Sequence, residues 1–290
     1  MSAKLQLKKQ GLNPDLVQAL VELALSEDLA DGSDVTTLAT IEENSISVLN
    51  LVARKSGVIS GVYVAQLVFE LLSDEFVINA LVEDSKKVAA GEVILSVKGP
   101  TQALLTAERT ALNFLTHMSG IATTTSLWVN EVSHTKAKIR DTRKTIPGLR
   151  HLEKYAVVCG GGVNHRFSLN DAALIKDNHI LAVGGVGQAF RKVKNKVVNQ
   201  EIEIEVDTLE QIPEAIAAGA DFILLDNFEI PELEKAVIEY GASVKFEASG
   251  GLTLENARAV AEAGVDYLAV GALTHSAPSL DIGADLVLGG

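Results

Sequence analysis

The 290-residue chain contains one cysteine, few aromatic residues (4%) and no long apolar run. A single cysteine excludes an internal disulfide and permits a reducing compartment, so we expect a cytoplasmic protein. Without an apolar run of bilayer length, a membrane role is not expected. The basic N-terminus is not followed by an apolar segment with a small-residue cleavage site, which argues against a secretion signal.

The single cysteine, Cys159, ends the apolar run YAVVC. A free cysteine in such a setting usually behaves as a small apolar side chain. We therefore predict that Cys159 fills space in the core and is not a nucleophile.

Two motifs of common binding sites are also missing. No GxGxxG segment follows a predicted strand and opens a helix, so a dinucleotide site of that type is not supported. The histidines lack the spacing of metal ligands, so a metal site built from them is not expected. They are His117, His134, His151, His165, His179 and His275.

The charge of the chain is unevenly distributed. The net charge is −13, but residues 136–176 hold nine Lys or Arg against three acidic residues, a local +6 that leaves −19 elsewhere. Such a basic island suits a small, highly anionic ligand, whereas a nucleic acid needs a broad basic face. The alternative is a solvated helix face rich in Lys and Arg.

The first hundred residues mix predicted helices with short strands. Asn13-Pro14 is expected to start a helix, with Asn as the cap and Pro in the first turn. Residues 101–133 give the longest helical pattern, which carries Arg109 and is predicted to break near Ser119-Gly120. Punctuation by Gly and Pro indicates antiparallel strands within 45–55, 76–82 and 91–100.

Beyond Ala137 the pattern alternates between strand and helix. Helices ending at Gly219, Gly241 and Gly264 each precede an apolar strand, and each glycine is expected to end its helix in the left-handed conformation. Repeated β-α units imply parallel strands with right-handed crossovers. Six units predict a β/α barrel of six or seven strands, and an open doubly wound sheet is the alternative. The strand candidates are AKIRD, ALIKD, EIEIEV, DFILLD, SVKFEAS and DYLAVGA.

Polar or glycine residues follow every one of these six strands. Catalytic groups of β/α barrels lie at the carboxyl ends of the strands, so a pattern shared by all six favours one active site. The residues are Asp141, Arg143 and Lys144; Lys176 and Asp177; Glu205 and Asp207; Asp226 and Asn227; Glu247, Ser249, Gly250 and Gly251; and Gly271 and Ala272.

The cations among them suit carboxylates and phosphates. Arg143 and Arg166 offer planar two-pronged forks, while Lys144 and Lys176 offer point charges. His165 can donate a hydrogen bond, or a proton near neutral pH. The glycine-containing segments 249–251 and 271–273 offer backbone N–H groups to a phosphate.

The strand EIEIEV places three glutamates on one face by its two-residue period. If the isoleucines meet the outer helices, Glu201, Glu203 and Glu205 point into the barrel, where they need cationic partners or a metal. Candidate partners are Lys176, Lys144 and Arg166. The alternative is an edge strand with a solvated acidic face. Glu205 and Asp226 are expected to hold Mg²⁺ only indirectly, through water and a substrate phosphate.

Several motifs together resemble the quinolinate phosphoribosyltransferase family, also called carboxylating nicotinate-nucleotide pyrophosphorylase. The similarity runs from about Asp28 to the C-terminus and is specific in combination. The motifs are ERTALNFL, KIRDTRKTIPGLRHLEKYAV, GGGVNHR, DAALIKDNH, EVD, LLDNF, EASGGL and GVDYLAVGALTHS.

The resemblance implies transfer of phosphoribose from phosphoribosyl pyrophosphate to quinolinate, giving nicotinate mononucleotide, CO₂ and pyrophosphate in NAD biosynthesis. It implies an N-terminal α/β sandwich domain at 1–117, completed by 275–290, and an incomplete β/α barrel at 118–274. It also implies a homodimer with a site shared across the interface, and a Mg²⁺ requirement. Nucleic acid and membrane are not expected partners.

The resemblance also assigns roles to single residues. Arg109 would reach the partner's site. Thr142, Arg143, Lys144, His165, Arg166 and Lys176 would bind the quinolinate carboxylates and nearby phosphates. Glu205 and Asp226 would face the ribose and the Mg²⁺-diphosphate, and Ser249–Gly251 with Val270–Ala272 would hold the 5′-phosphate. Lys144, Lys176, Glu205 and Asp226 would be the catalytic residues.

Two other functions stay open at this stage. One is a Schiff-base lyase on the same barrel, using Lys176 with Glu205. The other is a relative without quinolinate activity, such as a phosphoribosyltransferase-like protein associated with molybdenum uptake.

Overall fold

The computed structural model of the chain describes residues 2–30 and 32–288. The helices are α1 (Ala3–Lys9), α2 (Pro14–Leu29), α3 (Val35–Thr40), α4 (Val62–Leu72), α5 (Thr101–Val132), α6 (Arg150–Cys159), α7 (Asp177–Val183), α8 (Val186–Lys194), α9 (Gln211–Ala217), α10 (Ile230–Tyr240), α11 (Leu254–Glu262) and α12 (Ala272–His275). The strands are β1 (Ile46–Ala53), β2 (Gly57–Val58), β3 (Val77–Ala80), β4 (Lys87–Val88), β5 (Val93–Pro100), β6 (Lys138–Arg140), β7 (Ala173–Ile175), β8 (Ile202–Val206), β9 (Phe222–Asp226), β10 (Lys245–Ser249), β11 (Tyr267–Ala269) and β12 (Ile282–Leu288).

The described residues form two compact units. The first contains the described residues up to 124, together with 146–161 and 276–288. The second contains residues 125–145 and 162–275. The domain boundaries given above for the sequence, 117/118 and 274/275, stay a prediction.

The first unit is built on an antiparallel sheet in the order β12-β1-β5-β3. Alternate residues of β1, including Leu49 and Leu51, are buried, as expected for a sheet with one covered face. Helix α4 packs on this sheet through a buried face that includes Phe69. The strand from the C-terminal end, β12, pairs with β1 along its full length, from Ser47 opposite Leu288 to Ala53 opposite Ile282.

The second unit is a parallel sheet of six strands in the order β6-β11-β10-β9-β8-β7. All six strands predicted from the sequence are present, and the α/β class with an incomplete barrel is confirmed. Side chains of β6, β8 and β10 meet inside the curved sheet: Arg140 pairs with Glu247 at 2.8 Å, and His165 lies 3.0 Å from Glu203 and 3.5 Å from Glu247. Alternate strands supply such interior layers in β/α barrels.

Helix ends follow the sequence signals in most places. Asn13 caps α2 by accepting the backbone N–H groups of Asp15 and Leu16, as predicted. Gly219 and Gly264 have the expected positive φ, +96° and +94°. The expectation for Gly241 is wrong, because its φ is −63° and the chain leaves α10 without a left-handed residue.

The predicted break of the long helix at Ser119-Gly120 is also wrong, since α5 is continuous. Ser119 Oγ accepts from the backbone N–H of Ser60 and donates to its carbonyl oxygen. A Cβ on Gly120 would overlap the carbonyl oxygen of Pro278. The two small residues therefore allow close packing of other backbone segments on an intact helix.

Cys159 lies in a small apolar cluster with Val58 and Ala122, against which Tyr155 packs. Its thiol is buried, which confirms its predicted place in the core. Among residues 2–30 and 32–288, none of the helices combines the length and the apolar character that crossing a bilayer requires.

Gly120→Ala should lower the free energy of unfolding by about 2 kcal/mol, because the added Cβ must displace the Pro278 backbone. The same change in an unobstructed helix would raise stability by roughly 1 kcal/mol, so the sign of the change is diagnostic. Urea denaturation measures it. Asn113→Ala, at an exposed position of the same helix, should change stability by less than about 0.5 kcal/mol.

Candidate active site

A cavity of about 360 Å³ opens at the carboxyl ends of the barrel strands in the second unit. Residues from or just after five of the six strands line it, together with two from the loop before β7. The lining residues are Thr142, Arg143, Lys144, His165, Arg166, Leu174, Lys176, Leu224, Asp226, Glu247, Ser249 and Ala269.

The structure brings eight of the fifteen predicted site residues into this lining: Thr142, Arg143, Lys144, His165, Arg166, Lys176, Asp226 and Ser249. Six others are their neighbours in chain or space: Glu205 contacts Lys176, Gly250 and Gly251 follow Ser249, and residues 270–272 follow Ala269. Arg109 lies on an exposed position of α5 in the first unit. The roles assigned to these residues stay predictions.

The segment after β6 presents two of the cations. The backbone N–H of Lys144 donates to Thr142 Oγ1 at 3.0 Å, and Thr274 Oγ1 donates to the carbonyl oxygen of Lys144 at 2.8 Å. A Cβ on Gly271 would lie 3.0 Å from Lys144 Cδ, so the glycine leaves room for the lysine stem. These contacts hold Arg143 and Lys144 at the wall of the cavity.

Arg166 lines the same cavity as Arg143. The Nη1 of Arg166 donates to the carbonyl oxygen of Ala172 at 2.9 Å, which anchors one edge of its guanidinium. Burial, together with the charge of Arg143, lowers the pKa of Arg166. Two guanidinium groups held this close repel each other, and an anion between them relieves the repulsion.

Lys176 and Glu205 form an ion pair at the other side of the cavity. The lysine Nζ donates to Glu205 Oε2 at 2.6 Å, and the carboxylate side chain is buried while the lysine is half exposed. The predicted inward direction of Glu205 and its pairing with Lys176 are confirmed. Glu203 also points inward, but the side chain of Glu201 is half exposed, so the solvated alternative holds for that residue only.

The loops after β9 and β10 contact each other beside Ser249. The backbone N–H of Asn227 donates to the carbonyl oxygen of Ser249 at 2.9 Å. Gly250 has φ +83°, and a Cβ there would overlap the side-chain oxygen of Asn227. Glycine is therefore required at position 250 by both its backbone angle and its neighbour.

A layer of charged side chains lies beneath the predicted site. Its members are Arg140 on β6, Glu203 on β8 and Glu247 on β10. Each lies two residues before a predicted site residue. Side chains two residues apart point to the same face of a strand, so these three lie on the inward face, one layer below the site. Arg140 Nη1 donates to Glu247 Oε2 at 2.8 Å. The guanidinium carbon of Arg140 also lies 4.9 Å and 5.4 Å from the ring centres of Tyr267 and Phe222.

Burial raises the pKa of both glutamates in this layer, to about 7 for Glu203 and about 7 for Glu247. A charge on His165 lowers the pKa of Glu247, and the charge of Arg140 lowers the pKa of both glutamates, which offsets part of the effect of burial. Glu203 also raises the pKa of Glu247, and Glu201 and Glu205 raise that of Glu203, because negative charges cannot be held close together at low cost. Near neutral pH this pair is therefore partly protonated.

His165 connects the deep layer to the cavity wall. Its Nε2 lies 3.0 Å from Glu203 Oε2 and 3.5 Å from Glu247 Oε1. Its Nδ1 accepts the backbone N–H of Arg166 at 2.7 Å, and the backbone N–H of His165 donates to Asp141 Oδ1 at 2.8 Å. Both ring nitrogens therefore face protein groups, and a contact of His165 with substrate stays a prediction.

The ligand atoms of His165, Glu203 and Glu247 lie within 4.8 Å of one another, a spacing that a metal ion could bridge. Arg140 already supplies a positive charge to the same carboxylates at hydrogen-bond distance. We therefore treat the group as an ion-pair network.

Sequence reasoning missed the apolar part of the cavity and the function of the deep layer. Leu174 and Leu224 lie on the lining between the charged groups, where an aromatic ring can pack. The signal for the deep layer was present, because Arg140 and Glu247 interrupt apolar strands two positions before polar strand ends. A larger groove of about 660 Å³ lies at the opposite, amino ends of β8, β9 and β10 and contains none of the predicted site residues.

Comparison with known proteins agrees with this geometry. Residues 34–119 match the family model of the quinolinate phosphoribosyl transferase N-terminal domain, and residues 121–285 match that of the C-terminal domain. The chain belongs to the quinolinate phosphoribosyltransferase family. The site described above lies in the part that matches the C-terminal domain of this family.

Individual relatives are similar over most of their length. The chain is 50% identical to the carboxylating nicotinate-nucleotide pyrophosphorylase of Mycobacterium leprae (strain TN), over 94% of this chain and 98% of that protein. It is 43% identical to a probable enzyme of the same name from Bacillus subtilis (strain 168), over 90% of both chains. The solved structure of the Francisella tularensis nicotinate-nucleotide pyrophosphorylase superposes with a TM-score of 0.90 at 40% identity, over 94% of this chain and 96% of that one.

Arg140→Met should lower the free energy of unfolding by about 3 kcal/mol or more at neutral pH, because it leaves the buried Glu203 and Glu247 without their cation. Arg258→Met is the matched control. Arg258 pairs with Glu131 at 3.6 Å on the surface, and such pairs contribute less than about 1 kcal/mol. If urea denaturation gives the same loss of unfolding free energy for both variants, the deep layer does not depend on Arg140.

Proposed function

We propose that the protein transfers the phosphoribosyl group of phosphoribosyl pyrophosphate to quinolinate, with loss of CO₂, and so forms nicotinate mononucleotide and pyrophosphate. This reaction is a step of NAD biosynthesis. The observation that carries the proposal is the cavity, where Arg143, Lys144, Arg166 and Lys176 converge in a chain of net charge −13. Membership of the quinolinate phosphoribosyltransferase family supports it.

Quinolinate presents two adjacent carboxylates on a flat ring. Arg143 and Arg166 offer the planar forks that bind carboxylates in a two-pronged manner, and Lys144 and Lys176 add point charges. Leu174 and Leu224 offer an apolar surface to the ring. In our proposal these residues hold the acid with its ring nitrogen directed at the ribose.

The chemical step replaces one bond to the ribose by another. The ring nitrogen forms a bond to C1 of the ribose as the bond from C1 to the diphosphate oxygen breaks, and that electron pair leaves with pyrophosphate. The positive charge that develops on the ribose is stabilised by the carboxylates of Glu205 and Asp226 in our proposal. Lys176 holds Glu205 in place through their 2.6 Å contact.

Decarboxylation then follows from the charge on the ring. The alkylated nitrogen is cationic, so the ring can accept the electron pair of the carbon–carboxylate bond as CO₂ departs. A proton from water takes the place of the lost carboxyl group. Lys144 and Lys176 stabilise the departing charges in our proposal.

A magnesium ion is expected with the diphosphate of the donor. Mg²⁺ prefers oxygen ligands and keeps several waters, and it neutralises phosphate charge. Asp226 lines the cavity and Glu205 lies beside it, so both offer carboxylate oxygens of the required kind. We propose that they hold Mg²⁺ through water and the substrate diphosphate.

The glycine-containing loops are the proposed 5′-phosphate site. Residues 249–251 and 270–272 follow neighbouring strands, β10 and β11, which pair directly. Gly250 and Gly251, with φ +83° and +60°, expose backbone N–H groups that side chains would otherwise screen.

We further propose a homodimer in the cytoplasm. Arg109 is an exposed cation on α5, as expected for a residue that reaches the site of a second subunit. The single cysteine is compatible with a reducing compartment. A Schiff-base lyase is not favoured, because that chemistry requires a neutral lysine amine and Lys176 Nζ donates to a carboxylate instead.

The purified protein should form nicotinate mononucleotide from quinolinate, phosphoribosyl pyrophosphate and Mg²⁺, with one CO₂ released for each product. Chromatography of the nucleotide and trapping of labelled CO₂ measure both. Nicotinate in place of quinolinate should give little product, because one carboxylate leaves part of the cation cluster unpaired. Formation of nicotinate mononucleotide from nicotinate but not from quinolinate would contradict the assignment of quinolinate as the acceptor.

Arg143→Ala should weaken quinolinate binding by at least about 100-fold, because a buried charge-assisted contact is lost. Isothermal calorimetry measures the affinity and circular dichroism checks the fold. Arg191→Ala removes the same side chain from an exposed position of α8 and should leave the affinity unchanged. Near-normal binding by Arg143→Ala would remove this residue from the acid site.

A further inference from the structure

The deep layer of the barrel contains more carboxyl groups than cations. Arg140 contributes one positive charge to Glu203 and Glu247, which are 2% and 0% exposed. A buried cluster with an uncompensated charge is costly. The layer therefore reaches neutrality only if one of the two carboxyls carries a proton, or if His165 is charged.

The contact at Nδ1 of His165 favours a neutral ring. Its Nδ1 accepts the backbone N–H of Arg166 at 2.7 Å, so this nitrogen carries no proton. The single ring proton is then on Nε2, which donates towards Glu203 Oε2 at 3.0 Å. A neutral His165 leaves the proton on the glutamate pair.

The free oxygens of the glutamates agree with a shared proton. Glu203 Oε1 and Glu247 Oε1 are buried and have no hydrogen-bond partner within residues 2–30 and 32–288. An ionised carboxylate needs several donors, whereas a neutral carboxyl tolerates an unpaired oxygen at lower cost. The raised pKa of both groups has the same cause.

We propose that Arg140, Glu203 and Glu247 are positioning residues of the acid site, which hold His165 and, through it, Arg166, and that the two glutamates share one proton whose loss weakens anion binding. The proposal rests on the proposed function, because quinolinate is the anion in question.

The connection to the cavity is direct. Glu203 fixes the His165 ring, whose Nδ1 fixes the backbone of Arg166, and the same loop is tied to Asp141. Glu247 itself borders the cavity. Loss of the shared proton therefore places an additional negative charge directly beneath the bound acid.

Other charged groups near the pair do not compensate this change. Glu201, just before β8, is half exposed and adds negative charge, and Glu205 is neutralised by Lys176. Arg166 contributes positive charge from the loop before β7, and Asp141, which accepts from the backbone of His165, contributes negative charge. The proton on the glutamate pair is therefore the variable charge of the layer near neutral pH.

The test is the pH dependence of quinolinate binding, measured by calorimetry without the phosphoribosyl donor. A pyridine dicarboxylate is fully ionised over this range, so its own titration does not contribute. For the wild-type protein the affinity should fall about tenfold between pH 6 and pH 8, because one charge is added close to the ligand.

Glu203→Gln should abolish this dependence. In this variant Arg140 pairs with a single ionised glutamate, so the deep layer is neutral from pH 6 to pH 8. The affinity of the variant at pH 8 should therefore equal that of the wild type at pH 6. Glu203→Ala, which also removes the acceptor for His165, should bind weakly at every pH. If Glu203 only supported the fold, both variants would bind quinolinate more weakly, and Glu203→Gln would keep the pH dependence of the wild type.

Glu239→Gln is the matched control. It removes the same charge from an exposed position of α10, next to the amino ends of the strands, and should keep the wild-type decline. The inference fails if Glu203→Gln also shows the tenfold decline. If the wild-type protein does not bind quinolinate at pH 6, the proposed function fails instead.

A measurement on the wild-type protein alone covers the case of an unfolded variant. If binding favours the protonated pair, quinolinate must take up a proton when it binds near pH 7.5 and none at pH 6. Calorimetry in buffers of different ionisation enthalpy counts these protons. Uptake of about half a proton near pH 7.5, the slope that a tenfold fall over two pH units requires, supports the proposal, and uptake of less than about a quarter of a proton across the range overturns it.

Discussion

Charged side chains inside the barrel must be neutralised inside the barrel, and the site depends on this constraint. Water cannot solvate Glu203 or Glu247, so each requires a partner from another strand. Arg140 on β6 and His165 in the loop before β7 supply those partners. The network links side chains of three alternate strands directly beneath the cavity.

The same constraint explains the uneven charge of the chain. A strongly acidic surface keeps anionic ligands away, except where cations are concentrated. The basic island of residues 136–176 is divided by the fold, because Arg150 and Lys154 belong to the first unit. The cations that converge are Arg143, Lys144, Arg166 and Lys176. Local charge in the sequence therefore indicated the right region but not the right set.

Local patterns were correctly interpreted wherever neighbours in sequence decide the outcome. The period of two placed Glu203 and Glu205 on the inward face, and the alternation of apolar strand and helix patterns located the six parallel strands. They were misinterpreted where distant segments decide. Gly120 looked like a helix break, but it serves the approach of Pro278, which lies more than 150 residues away in sequence. The glycine marked a special position, but its sequence neighbours did not reveal that it allows the close approach of Pro278.

The family, the barrel strands and the set of polar strand ends are consequences of short-range sequence, because each depends on residue order within about ten positions. The contact partners of individual side chains do not follow from short-range sequence. Nothing in the order of residues states that His165 turns its Nε2 to Glu203 and its Nδ1 to Arg166, or that Arg140 meets Glu247, 107 residues later. Those contacts arise only when the sheet curls and brings alternate strands within hydrogen-bond distance. The tertiary structure therefore decided which charges are compensated and which remain available to bind an anion.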